Sequence, residues 1–446
     1  MNSFCFVIEE SQKLYRMKPT PGEKPSLNTT HTLTGRNSIM KKSLIALAVL
    51  GAAASAQAAD ISLYGVVDTG LAYTYNDNWG LVNDPTEGLG VAHTTDGESN
   101  LEMASGINAS SRWGITGSED LGNGMKVGFK LESAINTDDG SLGQGGRLFG
   151  REASLTLSGD FGKISAGRMG GVGSSAGTYD YVYAIGEAFD GGDFNIWGMT
   201  ASSRYDNMIT YETPEFAGVK VTAQYSFDGD TGADNKDYDA AEDGQHGTEG
   251  KTTVDRYASL AVTGGYGNLQ FVGAYEYFNH ASTSIVKDDG HLVHLGGNYD
   301  FGVTKVFALA QYYQGIRNAA GWNMSDDLVG VLAPTDPTSE GTDGFKGYGL
   351  HIGSITPIGG GDLTIAAYFQ DGKLENNYSD PADKYDIDAQ YVGVSARYAY
   401  HLSKRTDAYL GAGYAKATLE TGSLATDLHD MEKELIQAYV GLTHRF

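Results

Sequence analysis

Gln437-Ala438-Tyr439-Val440-Gly441-Leu442-Thr443-His444-Arg445-Phe446 is the stretch that decides the fold. Within it Val440, Leu442, His444 and Phe446 fall on one face, and alternation with a period of two is a strand signature. A chain whose final residues form a strand, with an aromatic as the last side chain, fits a closed sheet in which that strand also has two neighbours. Closure removes unpaired edges, as a sheet crossing a lipid bilayer requires.

The same alternation recurs upstream in segments of about ten residues, the length of a tilted membrane strand. Sixteen are legible: 61–75, 110–118, 125–135, 150–158, 163–169, 205–213, 218–227, 255–264, 268–278, 291–300, 303–313, 345–356, 362–370, 388–400, 405–415 and 436–446. In the first, Ile61, Leu63, Val67, Leu71 and Tyr73 share a face opposed by Ser62, Tyr64 and Asp68. In the third, Met125, Val127, Phe129 and Leu131 oppose Lys126, Gly128 and Lys130.

Short connections such as 119–124, 160–162, 214–218, 265–267, 301–302, 357–361 and 402–404 are rich in Gly, Asn and Pro, which supply tight-turn dihedrals. They alternate with long connections near 76–109, 136–149, 170–204, 228–254, 279–290, 314–344, 371–387 and 416–435. Strict short/long alternation with an even strand count describes an up-and-down barrel with one trimmed rim and one elaborated rim. A soluble sandwich would share the alternation. Aromatics near segment ends, among them Tyr75, Tyr211, Phe227, Tyr277, Phe278, Tyr312, Tyr313, Phe369, Tyr398, Tyr400 and Phe446, favour a barrel with interfacial girdles.

The beginning of the chain points to the same compartment. Met40-Lys41-Lys42 precedes an apolar stretch, Ser43 to Ala54, too short for the roughly 20 residues of a spanning helix. Ala56-Gln57-Ala58 completes a secretory signal at 40–58, with cleavage expected after Ala58. Residues 1–39 carry Pro19, Pro21 and Pro25 and no strand period. They read as an extension from an upstream start codon, with a long-type signal as the alternative. The barrel is assigned to 59–446. Cys5 is the only cysteine, so that region has neither a disulfide frame nor a thiolate metal site. It carries 24 basic and 53 acidic residues, a net charge of −29, which argues against nucleic-acid binding. Mean hydropathy is −0.30, as expected when apolar outward and polar inward positions average out.

Several motifs together resemble Gram-negative general porins of the β-proteobacterial type. Ser62-Leu63-Tyr64-Gly65-Val66-Val67-Asp68 resembles their first strand, and Ser111-Arg112-Trp113-Gly114-Ile115-Thr116-Gly117-Ser118-Glu119-Asp120-Leu121-Gly122 their second strand and first turn. Leu148-Phe149-Gly150-Arg151, Leu157 to Gly162, Ala166-Gly167-Arg168, Arg204-Tyr205-Asp206-Asn207 and the closing Val440 to Phe446 follow in order. The resemblance implies an all-β fold, a 16-stranded antiparallel transmembrane β-barrel with the third long loop, 170–204, folded inward. It also implies a homotrimer, an outer-membrane location among lipopolysaccharide, and a final aromatic strand ending at Phe446 that is read by the barrel-assembly machinery. By the same resemblance the constriction carries a basic side, Arg112, Arg151 and Arg204 with Arg168 as a weaker fourth. The facing acids would be drawn from Asp180, Glu187, Asp190 and Asp193. Val66 and Asp68 stand where relatives often add a lysine, which weakens the case for anion preference. Arg151 shares strand parity with Ala153, Leu155 and Leu157, which look lipid-facing, so its direction is open at this stage.

The function so implied is passive diffusion of ions and small hydrophilic solutes, without catalysis or a cofactor. The acid excess leans towards weak cation preference. An adhesin or structural anchor, or a substrate-specific channel, are the alternatives. The loop 228–254 holds eight acids against Lys236 and Lys251. It reads as a solvated loop, with loose Ca²⁺ or Mg²⁺ bridging to lipopolysaccharide as the sharper reading. His291 and His294 fall on opposite strand faces and do not share a metal. Gly171-Val172-Gly173-Ser174-Ser175 lacks a phosphate-loop lysine and reads as a flexible start to the inward loop.

Overall fold

The computed structural model describes residues 60–84, 88–229, 251–281, 288–323, 342–376, 386–420 and 430–446, together with 249, 284 and 286. The signal peptide and extension assigned to 1–58, and the acids of 228–254 beyond Asp228 and Glu249, lie outside the described residues.

Sixteen staves close into one antiparallel barrel. They are β1 (Asp60–Asp84), the broken pair β2 (Gly88–Ser105) and β3 (Arg112–Gly122), β4 (Met125–Ala134), β5 (Glu152–Gly159), β6 (Gly162–Gly170), β7 (Arg204–Glu212), β8 (Val219–Ser226), β9 (Arg256–Tyr266), β10 (Leu269–Asn279), β11 (Gly290–Asp300) and β12 (Lys305–Ile316). A two-rung hairpin, β13 (Asn318–Ala319) and β14 (Trp322–Asn323), stands apart. The wall resumes with β15 (Thr342–Ile358), β16 (Gly361–Asn376), β17 (Asp386–Ser403), β18 (Thr406–Glu420) and β19 (Met431–Arg445). β1 closes the ring on β19, from Val66↔Arg445 to Trp79↔Glu432.

Each expected strand has a counterpart, with boundaries shifted at the long-loop rim. The largest correction concerns 76–109, expected as a loop. Most of it is strand, because β1 and β2 pair as one long hairpin from Thr69↔Ser105 to Asp84↔Gly88. Below that, Asp60 to Val66 pair with β3 instead. Between β2 and β3 the chain leaves the wall: Ile107 is buried beside Ala72, Ala104, Tyr409 and Tyr439. The extra rungs lie outside a reading built on segments of about ten residues, because β1 runs for 25.

The short rim follows turn chemistry. β3 and β4 join at Asn123-Gly124, both at positive φ, and β15 and β16 at Gly359-Gly360, likewise. Such two-residue turns match the twist of an antiparallel pair. Outward positions are apolar and unshielded: Leu63, Leu101, Leu155, Leu295, Ile352 and Val440 are 52–71% exposed. A soluble protein does not carry a continuous belt of this kind, whereas a bilayer covers it. Tyr211, Phe227, Tyr312, Tyr400 and Phe446 are exposed, as girdle rings would be, but Tyr313 is wholly buried and faces inward. Phe278 also turns in, packing on Tyr257 with ring centroids 5.5 Å apart.

The barrel interior holds an apolar core formed where chain folds inside. Residues 171–203, linking β6 to β7, turn inward and carry a one-turn helix, α1 (Val182–Gly186). Val182 and Tyr183 are buried in one cluster with Ala261, Val272, Leu292 and Leu309 of β9 to β12.

Candidate functional site

The inward segment crosses the barrel by successive anchors. Its first residues are fixed rather than flexible. Gly171 to Ser174 are buried; the Gly171 N–H donates to Ser203 O (3.0 Å) and the Ser202 N–H to Gly173 O (2.9 Å). Residues 177–181 then follow the wall of β4 to β8. Thr178 Oγ1 donates to Glu152 Oε1 (2.8 Å), the Tyr179 hydroxyl pairs with Ser165 Oγ (2.6 Å), and the Tyr181 hydroxyl donates to Glu212.

The far wall receives the next stretch. Glu187, buried, accepts the backbone N–H groups of Phe189, Gly191 and Gly192 and the hydroxyl of Tyr368 on β16. Asp193 accepts the Tyr439 hydroxyl from β19 and lies 3.4 Å from Arg397 Nη1 on β17. Arg397 also covers the Phe189 ring at 4.7 Å. The segment returns through Thr200, whose N–H donates to Gln311 Oε1 (2.7 Å).

All four arginines taken as the basic side lie on one wall. Arg112 opens β3 and donates to Ser110 O (2.9 Å). Arg151 faces inward, 2.7 Å from Glu132 Oε1. The parity objection does not apply, because β5 begins at Glu152 and Arg151 belongs to the turn before it; Leu155 and Leu157 do face outward. Arg168 lies 2.8 Å from Asp206 Oδ1. Arg204 opens β7 and donates to Gln144 Oε1 at 3.4 Å, while its buried Nε has no protein partner. Glu132 and Asp180 are the acids whose fields reach it.

The loop acids divide into two kinds. Glu187 and Asp193 are turned into the far wall as anchors, whereas the charge of Asp180 reaches Arg204 on the basic side. Asp180 pairs with Asp190, and burial together with that neighbouring carboxylate pushes the Asp180 carboxyl well above the ordinary range. Burial also raises Glu187 and Asp193, against the lowering effect of their hydrogen bonds.

Several charged residues at this level were not singled out in the sequence. Glu132, Glu152 and Asp206 neutralise part of the basic wall, and Lys130 (2.8 Å from Glu152 Oε2) and Arg147 (2.9 Å from Asp206 Oδ2) add to it. Strand parity could have found Lys130 and Glu132, which alternate with Phe129 and Leu131. Arg397 likewise alternates with outward Val394. Asp68 of β1 is buried and accepts the Tyr409 hydroxyl (2.9 Å) and that of Thr443. It ties β1 to β18 and β19 beside the closure.

His294 is buried against Glu276 (2.8 Å), while His291 faces outward to the Tyr275 hydroxyl (2.8 Å). Among the described residues no three His, Cys, Asp or Glu side chains converge on a point where a metal would sit.

The arrangement is a closed wall crossed by an anchored loop, with cations on one side and few free acids facing them. Known proteins are similar to this chain in sequence and in fold. A family model described as Gram-negative porin matches residues 46–418. An outer membrane porin protein of Bordetella pertussis is 32% identical, covering 91% of this chain and 100% of its own length. Outer membrane porin protein 32 of Delftia acidovorans is 30% identical, covering 84% of this chain and 90% of its own length. Among solved structures, an anion-selective porin from Comamonas acidovorans aligns over 87% of this chain and all of its own, with a TM-score of 0.54 and 23% identity. OmpT of Vibrio cholerae in its trimer form gives a TM-score of 0.50 at 16% identity over 87% of this chain. With its sixteen staves, its inward third loop and these relatives, the chain belongs to the Gram-negative porin family, the channels of the outer membrane.

Proposed function

We propose that this porin passes ions and small hydrophilic solutes down their gradients through the gap between the 171–203 loop and the wall of β3 to β7. The observation that carries the reading is the double anchoring of the loop. Glu187 and Asp193 fix it to the far wall while residues 177–181 follow the basic wall, so the opening lies inside a rigid frame. Charges held on both sides of a narrow aqueous path impose a transverse field. Hydrated polar solutes tolerate that field, and apolar ones must disturb ordered water to cross it.

The lining favours anions weakly. Bulk acidity leans the other way, but exposed outer charges are screened within about 8 Å at physiological ionic strength. At the loop, Arg112, Lys130, Arg147, Arg151, Arg168 and Arg204 face Glu132, Glu152 and Asp206 on their own wall. The nearest loop acid, Asp180, is held towards its neutral form. The anion-selective Comamonas porin is a fold neighbour in keeping with this reading.

By the same kinship the protein assembles as a homotrimer in lipopolysaccharide-containing membrane after removal of 40–58, and Phe446 serves the assembly machinery. Divalent cations associate loosely with the outer acidic loops. Reconstitution in a planar bilayer tests the core of the proposal. Stepwise openings are expected, with a reversal potential in a KCl gradient on the anion side that moves towards cations in Arg112→Ala. A folded but silent barrel would leave an adhesin or anchor as the function, and competitive block by one solute would mark a specific channel.

A further inference from the structure

The connection after β12 also enters the barrel. The hairpin of β13 and β14 lies against the inner wall, with Ala319, Ala320 and Trp322 buried. They belong to one apolar cluster with Leu374 of β16, Ile387 of β17, Ala417 and Leu419 of β18, and Met431 of β19. These wall residues occupy inward register positions, where a water-filled lumen calls for polar side chains. Leu374, Ile387 and Leu419 are nonetheless wholly buried. An apolar inner wall is favourable only under a cover, and the hairpin supplies it. Trp322 is fixed at both ends, donating from Nε1 to Thr418 O (3.2 Å) and carrying Lys433 Nζ 4.5 Å above its ring.

The hairpin is bonded to the constriction loop through two side-chain amides. Gln370 Oε1 accepts the Ala320 N–H, while Gln370 Nε2 lies 3.4 Å from Thr200 Oγ1 and 3.3 Å from Gln311 Oε1. Gln311 in turn accepts the Thr200 N–H and donates to Thr200 O (2.9 Å). Tyr391 stands between Gly198 of the loop and Gly321 of the hairpin.

We propose that residues 318–323 form a second restriction on the long-loop side of the pore, and that the Gln370–Gln311 amides make them a strut setting the aperture of the 171–203 loop. This rests on the channel reading above. Bulky hydrophilic solutes meet the hairpin first, and loosening it widens both levels. Trp322→Ala removes the cover, and Gln370→Leu cuts the strut while keeping an apolar surface. In planar bilayers each variant is expected to raise single-channel conductance by about 1.5-fold, in keeping with a lining that controls passage. In liposome swelling, raffinose entry should rise relative to glucose. Folding is checked by heat-modifiable migration on gels.

An independent arm uses Asn318→Cys, an exposed position in a barrel region without cysteine. Attachment of a bulky thiol reagent there should cut the current. Folded variants with unchanged conductance and swelling ratio, or complete labelling at Asn318→Cys with unaltered current, would overturn the proposal. A silent wild-type channel would sink the channel reading itself, so the two failures are distinguishable.

Discussion

Gly65 and Phe446 exchange both backbone hydrogen bonds, Gly65 N to Phe446 O at 3.2 Å and Phe446 N to Gly65 O at 3.1 Å. This pair begins the seam between the first and last staves. The Phe446 ring lies where a Gly65 side chain would begin. Gly65→Val must therefore displace the ring or the Arg112 carbonyl beside it. The expected cost is about 1–3 kcal/mol, the usual range for overpacking a tight site. A lower temperature for conversion of the folded to the unfolded gel band would show it. A wild-type conversion temperature would mean the ring is not seated on Gly65.

Arg151 and Glu132 form a close pair whose side chains are 9% and 4% exposed. Removing one member of such a pair leaves the other uncompensated. Lys130 and Arg112 remain 3.8 Å from Glu132, and the Tyr64 hydroxyl still donates to it. Arg151→Ala is therefore expected to cost about 1–3 kcal/mol, less than the loss of a fully isolated pair. It should also move the reversal potential towards cations. Adding Glu132→Gln should recover part of both effects, and a double variant no better than the single would show that the pair is not coupled.

Asp180 gives the channel a pH dependence with a definite sign. Its carboxyl is raised in the folded protein by burial and by Asp190, so the folded state holds the proton more tightly than the unfolded chain. The associated stability is fully present below the unfolded carboxylate range, near about 4, and is lost as pH rises through the raised folded value. Over that same rise a negative charge appears beside Arg204. Anion preference should fall with increasing pH above the ordinary carboxylate range, and Asp180→Asn should flatten the profile. A profile identical in wild type and variant would remove Asp180 from the permeation path.

Glu187 holds the loop to the far wall with four accepted hydrogen bonds. Glu187→Ala strands the three backbone donors and the Tyr368 hydroxyl, and a buried unsatisfied group costs about 1–3 kcal/mol. The loop should loosen while the wall persists. Open-channel current noise is expected to rise with little change in the gel conversion temperature. Quiet openings at wild-type conductance would show that other anchors suffice.

Much of the wall was legible in the residues. Period-two alternation, Asn123-Gly124, Gly359-Gly360 and the girdle rings fix where strands run and turn, because each depends on neighbours within a few positions. The 76–105 hairpin escaped because β1 runs for 25 residues, well past the roughly ten of a tilted membrane strand. Arg151 was ambiguous because strand parity says nothing about a residue just outside the strand.

The charge arrangement is of another kind. Tyr368 and Glu187 are separated by 181 positions, and Gln437 and Asp193 by 244. Sequence alone determined that the chain forms a sixteen-stranded barrel, and only its resemblance to a family implied that basic and acidic residues face each other at the third loop. Only the tertiary structure decided that Glu187 and Asp193 serve as anchors, that Glu132 and Asp206 neutralise part of the basic wall, and that the 318–323 hairpin enters the lumen. The physical reason is that local periodicity sets which way a side chain points. The partner it meets across the lumen is set by the closure register and by the loop's path, and both emerge only when the sheet joins its own ends.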